Sequence, residues 1–180
     1  KMDSVDDKWK DSMDDYNVML VTIGRSSTEN GTYLPGVDGV DASQDLNQTD
    51  PLGLSDDERD LINAAVEAKE NNGGKVIVML NNANAMEIDE IKNNDGVDAI
   101  MEIGFPGGYG FYGVADILSG EANPSGHLTD TYAVTNANSP AAQNFGNYEW
   151  TNADPSVNIN AEEVEAEDIY TGYKYYETRY

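Results

Sequence analysis

The 180-residue sequence predicts an α/β three-layer sandwich, in which a mostly parallel sheet is covered by helices on both faces. Two observations lead to this prediction. Short apolar runs at residues 17–23, 75–80 and 97–103 have the length and composition of buried strands. Segments with helical periodicity separate these runs, and strands that alternate with helices form parallel sheets buried on both faces.

The N-terminal part of the chain predicts a helix, a strand and a long loop. Residues 4–16 carry apolar side chains three or four positions apart, as in an amphipathic helix. The strand at 17–23 ends in a polar loop at 24–31. Ligand sites in open α/β sheets gather at the carboxyl ends of strands, so functional residues are expected first in this loop. Residues 32–54 have no periodicity and continue the loop.

The middle of the chain predicts a helix, a strand and a second, short helix. Ser55 and Glu58 stand at the spacing of a capping box, which marks the start of a helix. Gly73 ends that helix, and the strand at 75–80 follows. Residues 86–93 then predict the short helix.

The next segment predicts one further unit of strand, turn and helix. The strand at 97–103 breaks at the glycine- and proline-rich residues 104–108, and a helix runs from there to Gly120. A second turn at 123–126 leads into a predicted short strand around 127–132. The tyrosines of residues 170–180 predict a strand-like tail.

Composition excludes several classes of function. The formal net charge is −24, from 34 acidic and 10 basic residues, which disfavours nucleic acid and anionic membranes as partners. The absence of cysteine excludes disulfides and thiolate sites, and a single histidine excludes a histidine-based metal cluster. The sequence contains neither a signal peptide nor an apolar run of about 18 residues. We therefore expect a soluble chain of unknown compartment, with no metal and no cofactor.

A glycine motif at the start of the last predicted helix raises the possibility of nucleotide binding. Gly108, Gly110 and Gly113 form G-x-G-x-x-G after a strand, as in a dinucleotide site. A Rossmann fingerprint normally belongs to the first βαβ unit, however, and the aromatic residues between these glycines would crowd a pyrophosphate. We expect a packing turn and no bound nucleotide.

Four ordered segments carry a resemblance to a known family. Within 97–132, a strand ends in Pro-Gly, a helix reads ADILSG, and NPSGHLTDTY follows. The other segments are VMLVTIGRSSTEN, LGLSDDERDLINAAVEA and DIYTGYKYYETRY, in that order along the chain. Together they resemble the second, α/β-sandwich domain of family 3 glycoside hydrolases, which include β-glucosidases and β-xylosidases.

The resemblance implies a division of catalytic residues between two domains. Enzymes of this family are retaining, their aspartate nucleophile lies on a separate TIM-type barrel, and a glutamate of the sandwich domain is often the acid/base. That glutamate lies in a Gly-Arg-x-x-Gly-Glu-Gly-x-Asp loop, which makes Glu29 the catalytic candidate. Arg25 becomes either a substrate-binding residue or a structural ion-pair partner. Thr28 and Asn30 replace the glycines beside Glu29, and the following aspartate is missing.

The resemblance further implies that residues 1–180 form a single sandwich domain of a larger enzyme. Its expected partners are a TIM-type barrel of the same parent chain and a β-linked glucoside or xyloside oligosaccharide. The barrel motifs are absent from the 180 residues, so the isolated chain is expected to be inactive. The altered loop around Glu29 leaves an alternative, namely a non-catalytic carbohydrate-binding or interaction module on the same fold.

Overall fold

The computed structural model describes residues 7–25, 52–144 and 166–179 of the chain. Helices and strands alternate over most of this length. They are α1 (Asp7–Met13), β1 (Val18–Gly24), α2 (Asp56–Asn72), β2 (Lys75–Asn81), α3 (Asp89–Lys92), β3 (Ala99–Glu102), α4 (Gly107–Ser119), a 3-10 turn (Asn136–Asn138), α5 (Pro140–Asn144) and α6 (Tyr173–Arg179).

The described strands form one parallel sheet in the order β1-β2-β3. The register places Val18 opposite Lys75, and Ile77 opposite Ala99. The predicted strands at 17–23 and 75–80 are confirmed to within one residue at each end. β3 begins later than predicted, because the amide of Val97 bonds to the carbonyl of Asn94 in a turn. The predicted parallel arrangement of these three strands is confirmed.

The core lies on one face of the sheet, which we call the first face. Alternate residues of β1 and β2 point into it, as the period of two in a strand requires. Helix α2 covers this face with an apolar stripe, and α3 adds one further buried side chain. The buried side chains of this cluster are Met19, Val21, Ile23, Leu54, Ile62, Ala65, Ala68, Val76, Val78, Leu80, Met86 and Ile91.

Both ends of α2 are set by local sequence. The Ser55 side chain accepts a hydrogen bond from the Glu58 amide, and the Glu58 side chain accepts one from the Ser55 amide, which confirms the capping box. Gly73 ends the helix in the left-handed region with φ 75°, where a residue without Cβ is favoured. Gly120 ends α4 in the same way with φ 83°, as predicted.

The second face of the sheet is covered less completely. Helix α4 lies on this side, so helices occupy both faces and the three-layer arrangement is confirmed. None of the residues of α4 is fully buried, however. On β1 the second-face side chains of Val18 and Leu20 are 51% and 47% exposed. A cleft of about 1050 Å³ lies between α4 and the second-face residues of β2 and β3.

Two predicted strands are wrong. Residues 127–132 have no strand structure, and within the described residues no strand pairs with the outer edge of β3. Within this segment the Thr129 hydroxyl donates to the Asp130 carboxylate, and such local side-chain hydrogen bonds compete with strand pairing. The C-terminal tail contains the helix α6 instead of a strand, and its tyrosines Tyr173 and Tyr176 stand at helical spacing.

The shorter helices also differ from prediction in their bounds. The structure describes α1 only from Asp7, and the helix ends at Met13 rather than at residue 16. Asp14 and Asp15 follow, and negative charge at a helix C-terminus is unfavourable. The helix predicted at 86–93 is limited to α3, since the Glu87 amide donates to the Leu52 carbonyl and not to a carbonyl of a helical turn. Among the described residues, none of the helices has the length and apolar composition to cross a membrane.

Candidate functional site

The carboxyl ends of the three described strands meet at one edge of the sheet. β1 ends at Gly24, β2 at Asn81 and β3 at Glu102. Because parallel strands bring their carboxyl ends to the same edge, the loops that follow them are neighbours. The polar side chains of this carboxyl edge are therefore the first candidates for a functional site.

Arg25 lies directly after β1 and its side chain is completely buried. Its guanidinium donates two hydrogen bonds to the Glu58 carboxylate, from Nη1 to Oε1 over 2.5 Å and from Nη2 to Oε2 over 2.9 Å. Nη2 also donates to the carbonyl of Gly53 over 2.8 Å, and Nη1 to that of Gly24 over 2.9 Å. The ion pair that the sequence left open for Arg25 is thus present, as a bidentate contact.

Glu29 lies in residues 26–51, outside the described residues. The residues on either side of that segment are described. Arg25 precedes it, and Leu52 follows it; the Leu52 side chain is buried, and its carbonyl accepts a hydrogen bond from the Glu87 amide over 2.9 Å. The hydrogen bond from Arg25 to Gly53 joins these two ends across the carboxyl edge.

Two asparagines organise the loop after β2. Asn81 donates from Nδ2 to the carbonyl of Gly104 over 2.5 Å and so connects this loop to the turn after β3. Asn82 is buried; its Nδ2 contacts Sδ of Met86 at 3.2 Å, and its Oδ1 accepts the amide of Asn84 over 3.0 Å. The sequence predicted a loop at this position but not these contacts.

Glu102 and Tyr132 form the second carboxylate contact of the carboxyl edge. Oε1 of Glu102 accepts the Gly104 amide over 2.7 Å, and Oε2 accepts the Tyr132 hydroxyl over 3.1 Å. Burial raises the pKa of Glu102 above its ordinary value, and these two hydrogen bonds oppose that change. Burial, followed by the nearby Glu102 charge, raises the pKa of Tyr132 to about 12.

Sequence reasoning missed this pair, although one signal for it exists. Glu102 is the only acid in the predicted strand at 97–103 apart from Asp98 at its start. An acid at the end of an otherwise apolar strand is placed at the carboxyl edge, where such residues reach ligands or loop amides. Tyr132 carries no comparable signal.

The cleft beside α4 opens toward the same loops. Its apolar walls belong to the sheet and to α4, and its polar lining comes from the loops after β2 and β3 and from residues 123–132. His127 lines the cleft and is exposed. The wall formed by the sheet includes Ile77, Ala99 and Met101, and the wall formed by α4 includes Val114 and Ile117.

The three glycines of the G-x-G-x-x-G pattern lie inside α4 rather than in a loop before it. A Cβ atom on Gly110 would lie 2.8 Å from Cβ of Pro106, so this glycine allows the turn to approach the helix closely. A dinucleotide site needs these glycines in the turn, where backbone amides face the phosphates. The absence of nucleotide binding stays a prediction. In the described ranges, no group of three or more potential side-chain ligands is arranged to hold a metal ion.

Comparison with known sequences gives a family over almost the whole chain. Residues 3–175 match the family model described as the glycosyl hydrolase family 3 C-terminal domain. The chain is 27% identical over 170 residues to thermostable β-glucosidase B of Acetivibrio thermocellus, a match that covers 94% of this chain and 20% of that protein. It is 33% identical over 100 residues to the probable β-D-xylosidase 6 of Arabidopsis thaliana, covering 53% of this chain and 12% of that protein.

Comparison with solved structures agrees. The fold is similar to part of β-glucosidase 3B from Thermotoga neapolitana, solved in complex with glycerol, with a TM-score of 0.72 and 30% sequence identity. The similarity covers 97% of this chain and 22% of that one. The chain thus spans about a fifth of the length of these two relatives from Acetivibrio and Thermotoga.

Proposed function

Since this chain belongs to the glycosyl hydrolase family 3 C-terminal domain family, we propose that it is one domain of a retaining, β-glucosidase-like glycoside hydrolase. In this proposal residues 1–180 are a single sandwich domain that completes the active site of a TIM-type barrel in the same parent chain. Glu29 supplies the general acid/base, and the barrel supplies the nucleophile. The substrate is a β-linked glucoside or xyloside oligosaccharide.

One structural observation supports this proposal beyond family membership. The segment that contains Glu29 starts and ends at the carboxyl edge of the sheet, where Arg25 and Gly53 are hydrogen-bonded to each other. This is the edge at which α/β sheets present residues to ligands. The names of two similar proteins, a β-glucosidase and a probable β-D-xylosidase, support the substrate class.

The chemistry requires two carboxyl groups on opposite sides of the scissile bond. In a retaining enzyme they are about 5–5.5 Å apart; one attacks the anomeric carbon, and the other protonates the leaving oxygen and later deprotonates water. The proposed division assigns the second role to Glu29. Direct contact between Arg25 and a sugar also stays a prediction, and the ion pair of Arg25 with Glu58 supports a structural role for this residue.

The test is Glu29→Gln in the full-length protein, with aryl β-glucosides of different leaving-group ability. A general acid contributes about 10²–10⁴-fold, so hydrolysis should fall by this order for poor leaving groups and much less for dinitrophenyl glucoside. Azide should restore turnover of the activated substrate, because it attacks the glycosyl-enzyme without a base. Glu67→Gln, at an exposed position on α2, is the matched control and should retain activity.

Two outcomes would contradict the proposal. Equal losses on both substrate types without azide rescue would remove Glu29 from the acid/base role. Unchanged hydrolysis in Glu29→Gln would favour the non-catalytic module. The 180-residue chain alone, which lacks the nucleophile in this proposal, should hydrolyse aryl glucosides at the background rate.

A further inference from the structure

Four aromatic side chains around the start of α4 are exposed. They are Phe105, in the turn after β3, and Tyr109, Phe111 and Tyr112, in the first two turns of the helix. Each is at least half exposed, and Tyr109 and Tyr112 are 89% and 71% exposed. We call these four residues the aromatic patch. We propose that the TIM-type barrel of the same parent chain packs on this patch, a proposal that rests on the proposed function.

The large apolar side chains at the start of α4 point away from the sheet that the helix covers. In the first half of the helix the residues that line the cleft are the small Gly110 and Gly113, and the patch residues, all within the described range 52–144, lie outside this lining. An amphipathic helix normally directs its bulky apolar side chains toward the core. α4 does so only from Val114 onward. Its first two turns therefore present aromatic rings to a second body.

The composition of the patch favours a protein surface as its partner. Residues 103–115 contain no charged side chain, although the protein has a net charge of −24, and the hydroxyls of Tyr109 and Tyr112 are their only polar side-chain groups. A site for a sugar needs further polar groups that bond to the sugar hydroxyls. The core of a protein–protein interface is instead rich in aromatic residues and depleted of charge. The patch has this second composition.

The area of the patch is also that of a protein interface. A completely buried aromatic side chain covers about 150–250 Å², so four residues that are at least half exposed offer on the order of 500 Å² of ring surface. Each partner in a specific interface contributes about 800 Å². The patch thus provides a large share of the area that one partner needs, and tyrosine is among the residue types that dominate binding energy.

The position of the patch identifies the barrel as its occupant. Tyr112 is five residues after Gly107, so the patch extends only about 8 Å along α4 from the carboxyl edge, where the proposed function places the barrel. The chain spans about a fifth of the length of the relatives from Acetivibrio and Thermotoga. In a parent of similar length the remainder has room for a barrel of about 250 residues. A second copy of the chain is disfavoured, because each copy carries a net charge of −24.

The turn that carries Phe105 is held in place before any partner packs on it. The Gly104 carbonyl accepts a hydrogen bond from Asn81 over 2.5 Å, and the Gly104 amide donates to Glu102 over 2.7 Å. Gly110 lets the ring of Pro106 lie close to the first turn of α4, since a Cβ at this position would be 2.8 Å from Cβ of Pro106. A surface that is already ordered loses little conformational entropy when it docks.

The experiment introduces the photoreactive residue p-benzoyl-phenylalanine in place of Tyr112 in the full-length protein. The matched control has the same residue in place of Tyr16, a tyrosine that is also exposed and that precedes β1, at the opposite edge of the sheet. We expect cross-links from position 112 to barrel peptides of the same chain, at a yield at least about tenfold above that from position 16. Because linked domains meet at millimolar effective concentration, this yield should not change with protein concentration.

A charge within the patch tests the same contact without a cross-linker. Tyr112→Asp places a carboxylate in an apolar interface, so the oxidation of Tyr109 by hydroxyl radicals should rise at least about tenfold in the full-length protein. Tyr16→Asp is the matched control and should leave the oxidation of Tyr109 unchanged. Met79 is buried, so its oxidation reports on folding and should stay low in both variants. If the oxidation of Met79 rises, the cross-link alone decides.

Three results would overturn the proposal. The first is a set of cross-links from position 112 that stay within residues 1–180 or reach a domain other than the barrel. The second is a cross-link between two chains whose yield rises with protein concentration, which would identify a second copy as the occupant. The third is protection of Tyr109 that requires an added β-1,4-linked glucose tetrasaccharide, which would identify a surface for sugar stacking.

The outcomes for the patch and for Glu29 are independent. A selective loss of hydrolysis in Glu29→Gln without cross-links from position 112 to the barrel leaves the proposed function standing and removes the patch from the interface. Cross-links to the barrel together with full activity in Glu29→Gln confirm the patch as the interface and overturn the acid/base role of Glu29.

Discussion

Removal of the Tyr132 hydroxyl should lower the free energy of unfolding, and the loss should depend on the charge of Glu102. The hydroxyl donates to Oε2 of Glu102 over 3.1 Å, and the ring packs against the buried cluster of the first face. Tyr132→Phe therefore removes one hydrogen bond and keeps the packing. Both residues are half-buried, so the bond is partly screened from water.

The magnitude follows from the geometry. A hydrogen bond to a charged group contributes about 1.5–3 kcal/mol. The 3.1 Å length exceeds the usual range for a hydroxyl and a carboxylate, and the partial exposure weakens the contact further, so we expect about 1 kcal/mol at pH 7. A double-mutant cycle with Glu102→Gln should give a coupling energy of similar size.

The pH dependence provides the sharper test. Burial raises the pKa of Glu102, so its contribution to stability is fully present below the ordinary pKa of the carboxyl and is lost as pH rises through the folded value. The Tyr132 hydroxyl opposes that loss by stabilising the charged form. Tyr132→Phe should therefore cost little at pH 4 and its full amount at pH 7.

Urea unfolding of the two variants, the double variant and the wild type at pH 4 and pH 7 would measure these quantities. Tyr109→Phe, at a fully exposed position, is the control and should leave stability unchanged. The pKa of Tyr132 is raised to about 12, which predicts a second effect at alkaline pH. Between pH 10 and pH 12 the wild type should lose more stability than Tyr132→Phe, which lacks this hydroxyl. Equal costs of Tyr132→Phe at pH 4 and pH 7 would refute the reasoning.

Three other predictions concern packing, acid stability and nucleotide binding. A Cβ on Gly96 would lie 2.3 Å from Cγ1 of Val66, so Gly96→Ala should lower the free energy of unfolding in urea by about 1–3 kcal/mol. Adding Val66→Ala to Gly96→Ala should restore part of this loss, and no restoration would contradict the contact. Hydrogen bonds from Lys69 and then Lys75 lower the pKa of Asp98, so the contribution of Asp98 to the free energy of unfolding is present above the ordinary aspartate pKa and is lost as the pH falls. In Asp98→Asn the free energy of unfolding should therefore decrease less between pH 5 and pH 2 than in the wild type. An equal decrease in both proteins would contradict the role of these ion pairs. Calorimetric titration with millimolar NAD, FAD or ATP should show no binding at the α4 glycines, and micromolar affinity would contradict their packing role.

The features that the sequence predicted correctly depend on neighbours along the chain. Ser55 and Glu58 lie three residues apart, and their reciprocal hydrogen bonds allow the start of α2 to be predicted without knowledge of the rest of the fold. Gly73 marks the other end for the same reason. The parallel sheet followed from the alternation of strands and helices, which is a repeated local pattern.

The features that the sequence did not predict depend on distant partners. Arg25 and Glu58 are 33 positions apart, and Glu102 and Tyr132 are 30 apart, so no periodicity connects them. The C-terminal tail was predicted wrongly because tyrosine favours strands, whereas local contacts dominate there. Thr178 donates to the Lys174 carbonyl, and Arg179 lies over the Tyr175 ring at 5.5 Å, both at the spacing of one helical turn.

The exposed side of β1 has a consequence for the colloidal behaviour of the protein. Within the described residues β1 is an edge strand, whose outer backbone groups can pair with another copy, and the exposed side chains of Val18 and Leu20 make this strand apolar, which favours such edge-to-edge pairing. A net charge of −24 opposes such pairing by mutual repulsion. The repulsion acts over about 8 Å at physiological ionic strength and about 3 Å in 1 M salt, and protonation of the carboxylates removes it. Resistance to self-association is therefore set by the medium as much as by the fold, and it is weakest in concentrated salt or mild acid.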